Sequence, residues 1–259
     1  MVRSLIRDTA RIVLPPAARN VLRPHWQRYE RWRQIWPYRQ LIGRKALEIG
    51  GPTEIFGDAG CLPIYSFLRS LDNCIFSTET VWTGKVGGEF RYHSGKEPGR
   101  QMVCEATDLP IADRAYEAVI ASHCLEHVAN PIRALKEWSR ILMPHGRLLV
   151  FLPDKHRTFD RKRPVTPLEH MIHDFERNVG EDDLTHVSEV LALHDDKNRE
   201  PESPEAFEQH LRRNPQHRMM HHHVFDESSG AALISYVGFV LRRVETFEPF
   251  HIAILASKS

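Results

Sequence analysis

Several signatures that would settle a function early are missing from this chain. No run of apolar residues approaches the ~18 needed for a membrane-spanning helix, and the amino terminus lacks the apolar centre and small-residue cleavage site of a secretory signal. Cysteine is scarce: Cys61, Cys74, Cys104 and Cys124 are the four, and none of them pair at metal-type spacing. Cys104 and Cys124 fall in apolar or active-site-like surroundings, so reduced thiols are the simplest reading, and a cytoplasmic location is expected. The GxGxxG pattern is absent, which counts against a nicotinamide or flavin site, and the histidines do not stand as HExxH. An excess of one charge is also lacking. The formal net charge is +1, so there is no global footprint for nucleic acid, and none is expected as a partner.

What is present fits one large core with an appendage. The chain has 259 residues, of which 41% are hydrophobic and 27% charged, enough to fold without disulfides. Positive charge concentrates at the amino end, where residues 1–40 hold nine arginines against only Asp8 and Glu30. Apolar residues at helical spacing predict two helices there, over residues 3–14 and 25–41, separated near Pro15 and Pro16. This basic arm reads as packed on the main domain with solvated arginines; a peripheral membrane or partner contact is the second reading, and an organellar transit peptide the third.

From Lys45 onward short apolar runs alternate with helical patterns, the grammar of a mostly parallel sheet covered by helices. Strands are expected at residues 45–50, 73–78, 101–106, 116–122, 146–153, 239–248 and 251–258. A helix is expected between the fourth and fifth strands, capped by Asn130, with Pro131 in its first turn and Ile132, Leu135, Trp138, Ile141 and Leu142 on one face. The last two strands are joined by only "PF", so they should form an antiparallel pair at the sheet edge.

Two ordered blocks carry a family likeness: "LEIGGP" at residues 47–52, then "CEATDLPIADRAYEAVIASHCLEHVANPIRALKEWSRILMPHGRLLVFLPD" at 104–154. In this order they resemble class I S-adenosylmethionine-dependent methyltransferases, particularly the type 11 group, and residues 222–248 and 251–258 resemble that family's last helix and strand pair. The resemblance implies an α/β fold: a Rossmann-like, seven-stranded, mostly parallel sheet with an antiparallel edge strand and helices on both faces. It divides the chain into the arm (1–40), a methyltransferase domain (41–153 and 222–259) and a helical, His-rich cap insertion (154–221).

The resemblance also assigns S-adenosylmethionine as cofactor and names its contacts. Gly50 and Gly51 give clearance for backbone to pass the methionyl and ribose portions, and Glu48 is the acid that organises this turn and the ligand's ammonium end. Glu79, 29 residues past Gly50, is the candidate for the ribose diol, although a solvated loop carboxylate reads as well. Glu105 and Ala106 match an acid-Ala pair that takes the adenine amine and a ring nitrogen. Ser122 and His123 follow the fourth strand at the sheet edge where ligands of open α/β folds bind, Ser122 with the donor and His123 as a candidate base. A histidine that only lines the pocket is the alternative for His123, and Glu126 and His127 read as supporting groups.

Ten of the sixteen histidines fall between His156 and His223. "EHMIHD" and "DLTHVSE" set histidines and carboxylates three or four residues apart, spacing that permits a metal site. Polar pocket lining is the reading taken, and no metal ligand is assigned. His223 and Asp174 join His123 as the groups expected to converge on the acceptor. The expected function is methyl transfer from S-adenosylmethionine to oxygen on a sugar, glycan or small metabolite. A metal-dependent hydrolase using the His-rich insertion and a non-catalytic scaffold of methyltransferase fold are the alternatives.

Overall fold

A computed structural model describes residues 29, 31–80, 84–85, 89–195 and 203–259. The chain divides into a short amino-terminal unit ending at Arg39 and a main unit, Gln40–Ser259. Most of the arm, including the helix expected over residues 3–14, lies outside the described residues. Residues 31–35 are helical, and the Trp32 and Trp36 rings lie 5.5 Å apart, with the Arg39 guanidinium 5.1 Å over Trp36.

In the main unit, the strands are β1 (Lys45–Ile49), β2 (Ser70–Ile75), β3 (Glu79–Thr80), β4 (Gly84–Lys85), β5 (Glu89–Phe90), β6 (Gly99–Val103), β7 (Tyr116–Ser122), β8 (Leu142–Pro153), β9 (Val240–Phe247) and β10 (His251–Ser257). Eight of them form one sheet in the order β5-β6-β2-β1-β7-β8-β10-β9, and β3 and β4 pair separately. Strands β6, β2, β1, β7 and β8 are parallel. Strand β10 runs antiparallel to both β8 and β9, so the reversed strand is flanked on both sides. All seven expected strands are present; the eighth, β5, is a two-residue antiparallel addition at the far edge.

Burial explains the sequence pattern. The central strands β1 and β7 are covered on both faces, and accordingly read as nearly continuous apolar runs. Edge strand β9 instead exposes Arg242, Arg243 and other polar positions, which discourages pairing with another chain. Strand β2 begins three residues earlier than expected and ends at Ile75, because Ser70 pairs with Lys45 and the chain leaves the sheet at Phe76.

Helix α1 (Pro131–Ile141) follows β7, capped by the Asn130 side chain accepting from the Arg133 N–H. Between β8 and the last helix lie α2 (Leu168–Glu176), α3 (Val187–Leu193), α4 (Pro204–Arg212) and α5 (Asn214–His217), with a small core of Val187, Val190, Leu211 and Met220. Helix α6 (Glu227–Tyr236) opens on a capping box between Asp226 and Ser229 and lies against the sheet, where a Cβ on Gly230 would come within 2.9 Å of the Leu152 and Ile254 side chains. No helix among the described residues is long and apolar enough to cross a membrane.

Trp138 of α1 joins the core to the ligand edge. Its ring is fully buried, and its Nε1–H donates to the Ala106 carbonyl at 3.0 Å. Trp138→Ala should lower the unfolding free energy by ~3–5 kcal/mol in urea denaturation, as for other buried aromatic truncations. Trp138→Phe should cost less, since it keeps most of the apolar contact and loses only the hydrogen bond.

Candidate active site

The turn after β1 is built around a buried acid. Glu48 is fully buried, and the Tyr65 hydroxyl donates to its carboxyl at 2.8 and 2.9 Å while accepting from the Thr53 N–H at 2.9 Å. Burial pushes the Glu48 carboxyl up to about 8, with the Tyr65 hydrogen bond opposing. Gly50 and Gly51 take φ of +80° and +66°, the left-handed region that favours glycine. A Cβ on Gly51 would stand 2.4 Å from the Glu48 carboxyl, so the clearance expected for a ligand is here needed first by the protein's own acid.

Gly50 and Gly51 open on a cavity of about 950 Å³ at the carboxyl ends of the parallel strands. Ile75 and Phe76 after β2, Glu105 and Ala106 after β6, and Ser122 and His123 after β7 line the same space. The Ser122 Oγ is buried there and has no hydrogen-bond partner among the described residues, as expected of a group that awaits a polar ligand. Glu105 is held by Arg218, whose guanidinium donates to Oε1 at 2.9 Å, pairs with Glu181 and lies 5.4 Å over the Phe76 ring. Glu48 does not line the cavity, because its side chain turns inward to Tyr65. Glu79 is absent from the lining too; it is exposed and sits in the β3–β4 hairpin, and Phe76 occupies the corresponding wall.

The opposite wall comes from the insertion, and where it meets the strand ends stands a row of polar side chains. His123 Nε2 lies 2.7 Å from His251 Nδ1, and His123 Nδ1 lies 3.4 Å from Glu126 Oε1, giving the row Glu126–His123–His251. Burial, then the proximity of His123, lowers His251 to about 4, so that ring is neutral near pH 7. Burial alone would raise Glu126, but His123 and His127 outweigh it and hold the carboxyl below its ordinary value. Deeper in the insertion, buried Asp160 accepts from Arg163 at 2.9 Å and meets His221 Nδ1 at 2.5 Å. Phe159 packs between His221 and His194 at 4.7 Å from each, and His194 continues to Phe207 at 4.9 Å.

The structure brings together Gly50, Gly51, Glu105, Ala106, Ser122 and His123. His223 and Asp174 meet one another, Nε2 to Oδ2 at 3.1 Å, but neither lines the cavity: His223 is buried beside α2, with its side chain directed to Asp174. Sequence reasoning passed over His251, Arg218 and the Asp160–Arg163–His221 group. Only His251 left a local signal, as a histidine opening the strand that returns beside the end of β8.

Residues 89–150 match the family model for a methyltransferase domain of type 11. The chain is 32% identical over 72 residues to probable tRNA methyltransferase 9B of Bos taurus, covering 26% of this chain and 16% of that protein. It is 29% identical over 145 residues to the demethylmenaquinone methyltransferase of Paenarthrobacter aurescens, covering 53% and 47%. Among solved structures, an S-adenosylmethionine-dependent methyltransferase of Methanosarcina mazei aligns over 83% of this chain and 92% of that one, at 19% identity and a TM-score of 0.46. The chain thus spans less than half the length of either relative matched by sequence. The sheet has the mostly parallel order of a Rossmann-like α/β fold, and the residues that match the methyltransferase-domain model make up about a quarter of the chain.

The buried Glu48 has a consequence for stability. Its carboxyl titrates near 4.3 when unfolded and near 8 when folded, so the native state holds the extra proton between those values. Stability from this group is therefore full below pH ~4 and declines as pH rises toward 8. Glu48→Gln should flatten that decline, and urea midpoints of the two proteins should converge at acid pH and separate in favour of the variant by pH 8.

Proposed function

We propose that the protein transfers a methyl group from S-adenosylmethionine to a hydroxyl oxygen of a small, polar acceptor such as a sugar or glycan residue. The observation that carries this reading is one continuous cavity in which glycine turn, acid-Ala pair and orphaned serine stand on one wall, and imidazoles, arginines and aromatic rings on the other. Its volume of about 950 Å³ is at the upper end for a small-molecule site, with room for a nucleoside-sized donor and a compact acceptor. Tilted ring pairs beside buried charged groups suit a hydroxylated ring, whose faces are apolar and whose edges need hydrogen-bond partners.

On this reading the backbone at Gly50 and Gly51 bounds the methionyl end, Ser122 Oγ donates to or accepts from the donor, and Glu105 and Ala106 take the adenine edge. Arg218 shares Glu105 with the adenine amine. Glu79 has no place in the scheme. When bound, S-adenosylmethionine supplies an electrophilic methyl on a sulfonium. His123 acts as the base for the acceptor's hydroxyl proton as the oxygen takes the methyl: Nε2 exchanges its hydrogen bond to His251 Nδ1 for one to that hydroxyl, and Glu126 beside Nδ1 stabilises the resulting imidazolium. His251 fixes the plane of the His123 ring, and being neutral it does not compete for charge. Residues 154–221 act as the cap that selects the acceptor and keeps water from the reacting atoms.

The test is a labelling experiment with methyl-tritiated donor against monosaccharides and oligosaccharides, bulk tRNA and a demethylated quinone, the last two being the substrates named for the relatives. Label on a sugar oxygen supports the proposal; label only on tRNA or quinone rejects the acceptor class. With the working acceptor, His123→Ala should reduce turnover by ~10²-fold or more while S-adenosylhomocysteine affinity stays within a factor of about two. Glu105→Ala should do the opposite, weakening S-adenosylhomocysteine by ~1–3 kcal/mol in calorimetry.

A further inference from the structure

The insertion gathers a second set of histidines outside the cavity. His170 and Asp174 lie one turn apart on α2, His186 caps the start of α3, and His223 stands just before α6, so three chain segments converge. His170 Nε2 is 3.3 Å from His186 Nε2 and 3.3 Å from Asp174 Oδ2, and Asp174 Oδ2 is 3.1 Å from His223 Nε2. The ligand nitrogens of His170, His186 and His223 all fall within 4.8 Å of one another. We propose that His170, Asp174, His186 and His223 form a binding site for a single divalent transition-metal ion of the zinc type, which ties the insertion to the methyltransferase domain.

The distances carry the argument. Zinc takes imidazole nitrogen and carboxylate oxygen at ~2.0–2.2 Å in a tetrahedron, whose edges are then about 3.3–3.5 Å. Three of the six edges of this quartet are already within 0.2 Å of that span, and the three histidine nitrogens lie within 4.8 Å of one another. Rings brought this close without an ion offer each other little. The Nε2 atoms of His170 and His186 can share only one proton, and His223 Nδ1 is buried without a hydrogen-bond partner among the described residues.

The ligand set also selects the metal. Three imidazoles and one carboxylate form a borderline donor set that suits zinc, cobalt or nickel and disfavours calcium and magnesium, which take oxygen ligands. A complete four-residue shell with two members largely buried reads as structural rather than catalytic. Its mechanical effect follows from the neighbours. The carbonyl of Asp174 accepts from the Asn130 side chain that caps α1, and the backbone N–H groups of His222 and His223 donate to the carbonyl of Glu126. An ion at this site would therefore fix the loop that carries His123 and Glu126, although it touches neither side chain. The proposal is independent of the methyl acceptor and of the donor.

The experiment uses the full chain, stripped of metal with chelator and titrated with Zn²⁺ against a chromophoric competitor, then with Co²⁺. One equivalent should bind, the melting temperature should rise with added zinc, and the Co²⁺ form should show the intense visible bands of a tetrahedral site. His170→Ala, at the half-exposed corner where folding is least at risk, and Asp174→Asn should each weaken Zn²⁺ by ~100-fold or more and abolish those bands. His222→Asn should leave affinity unchanged, since His222 belongs to the neighbouring group with Asp183. No saturable zinc uptake, an octahedral cobalt spectrum, or undiminished affinity in His170→Ala and Asp174→Asn would each overturn the proposal. Loss of binding in His222→Asn alone would move the ion to the other cluster and overturn it equally.

Discussion

The structure turns on a carboxyl group that cannot reach water. Glu48 sits at the end of the central strand with no exposed surface, and among the described residues its only side-chain partner is the Tyr65 hydroxyl. A buried acid with one donor stays protonated, and Tyr65 in turn accepts from the Thr53 N–H, so one hydroxyl fixes both the acid and the turn that follows it. Asn73 adds a second tie from β2, hydrogen-bonding the Gly50 carbonyl. The chain can pass over this arrangement only as glycine, which is why Gly51 lies against the carboxyl without a Cβ between them. The floor of the cavity is thereby set before any ligand arrives.

The remaining walls are positioned relative to that floor. The parallel strands end together, so the residues after β1, β6 and β7 face one space, and Trp138 holds the β6 loop to α1 through the Ala106 carbonyl. The insertion and the segment just after it are joined to the same edge at several places. Arg218 bridges Glu105 and Glu181, and the Glu126 carbonyl receives two N–H groups from the His222–His223 segment. On the proposed reading the donor and acceptor walls are thereby coupled: Glu105, proposed for adenine, is also a partner of the insertion through Arg218, and the loop that bears His123 hangs from backbone just past the insertion.

Much of this was legible in the sequence because it depends on local pattern. Apolar runs of strand length, the Asn130–Pro131 helix start and the ordered motifs from Glu48 to Pro153 placed the strands, α1 and six residues of the cavity. What escaped depends on contacts between distant segments. Glu79 was chosen by its place after β2, yet the chain leaves the sheet at Phe76 and carries Glu79 into a separate hairpin. His223 and Asp174 were expected at the acceptor because both lie in the polar insertion, but no spacing rule could say that they would face each other beside α2. His251 and His123 are 128 positions apart and meet only because β10 returns beside β8. Gly51 was expected to give clearance to a ligand, whereas the atoms a Cβ there would meet belong to Glu48.

The central claim is that the turn over Glu48 forms the floor of the donor site, and Gly51→Ala tests it with the smallest perturbation available. The added methyl would stand 2.4 Å from the Glu48 carboxyl and on a backbone with φ of +66°. Calorimetric titration with S-adenosylhomocysteine should give one site per chain in the native protein and at least about tenfold weaker binding in the variant, a loss of ~1.4 kcal/mol, with circular dichroism unchanged. Equal affinities in two folded proteins would contradict the account and move the donor away from this turn.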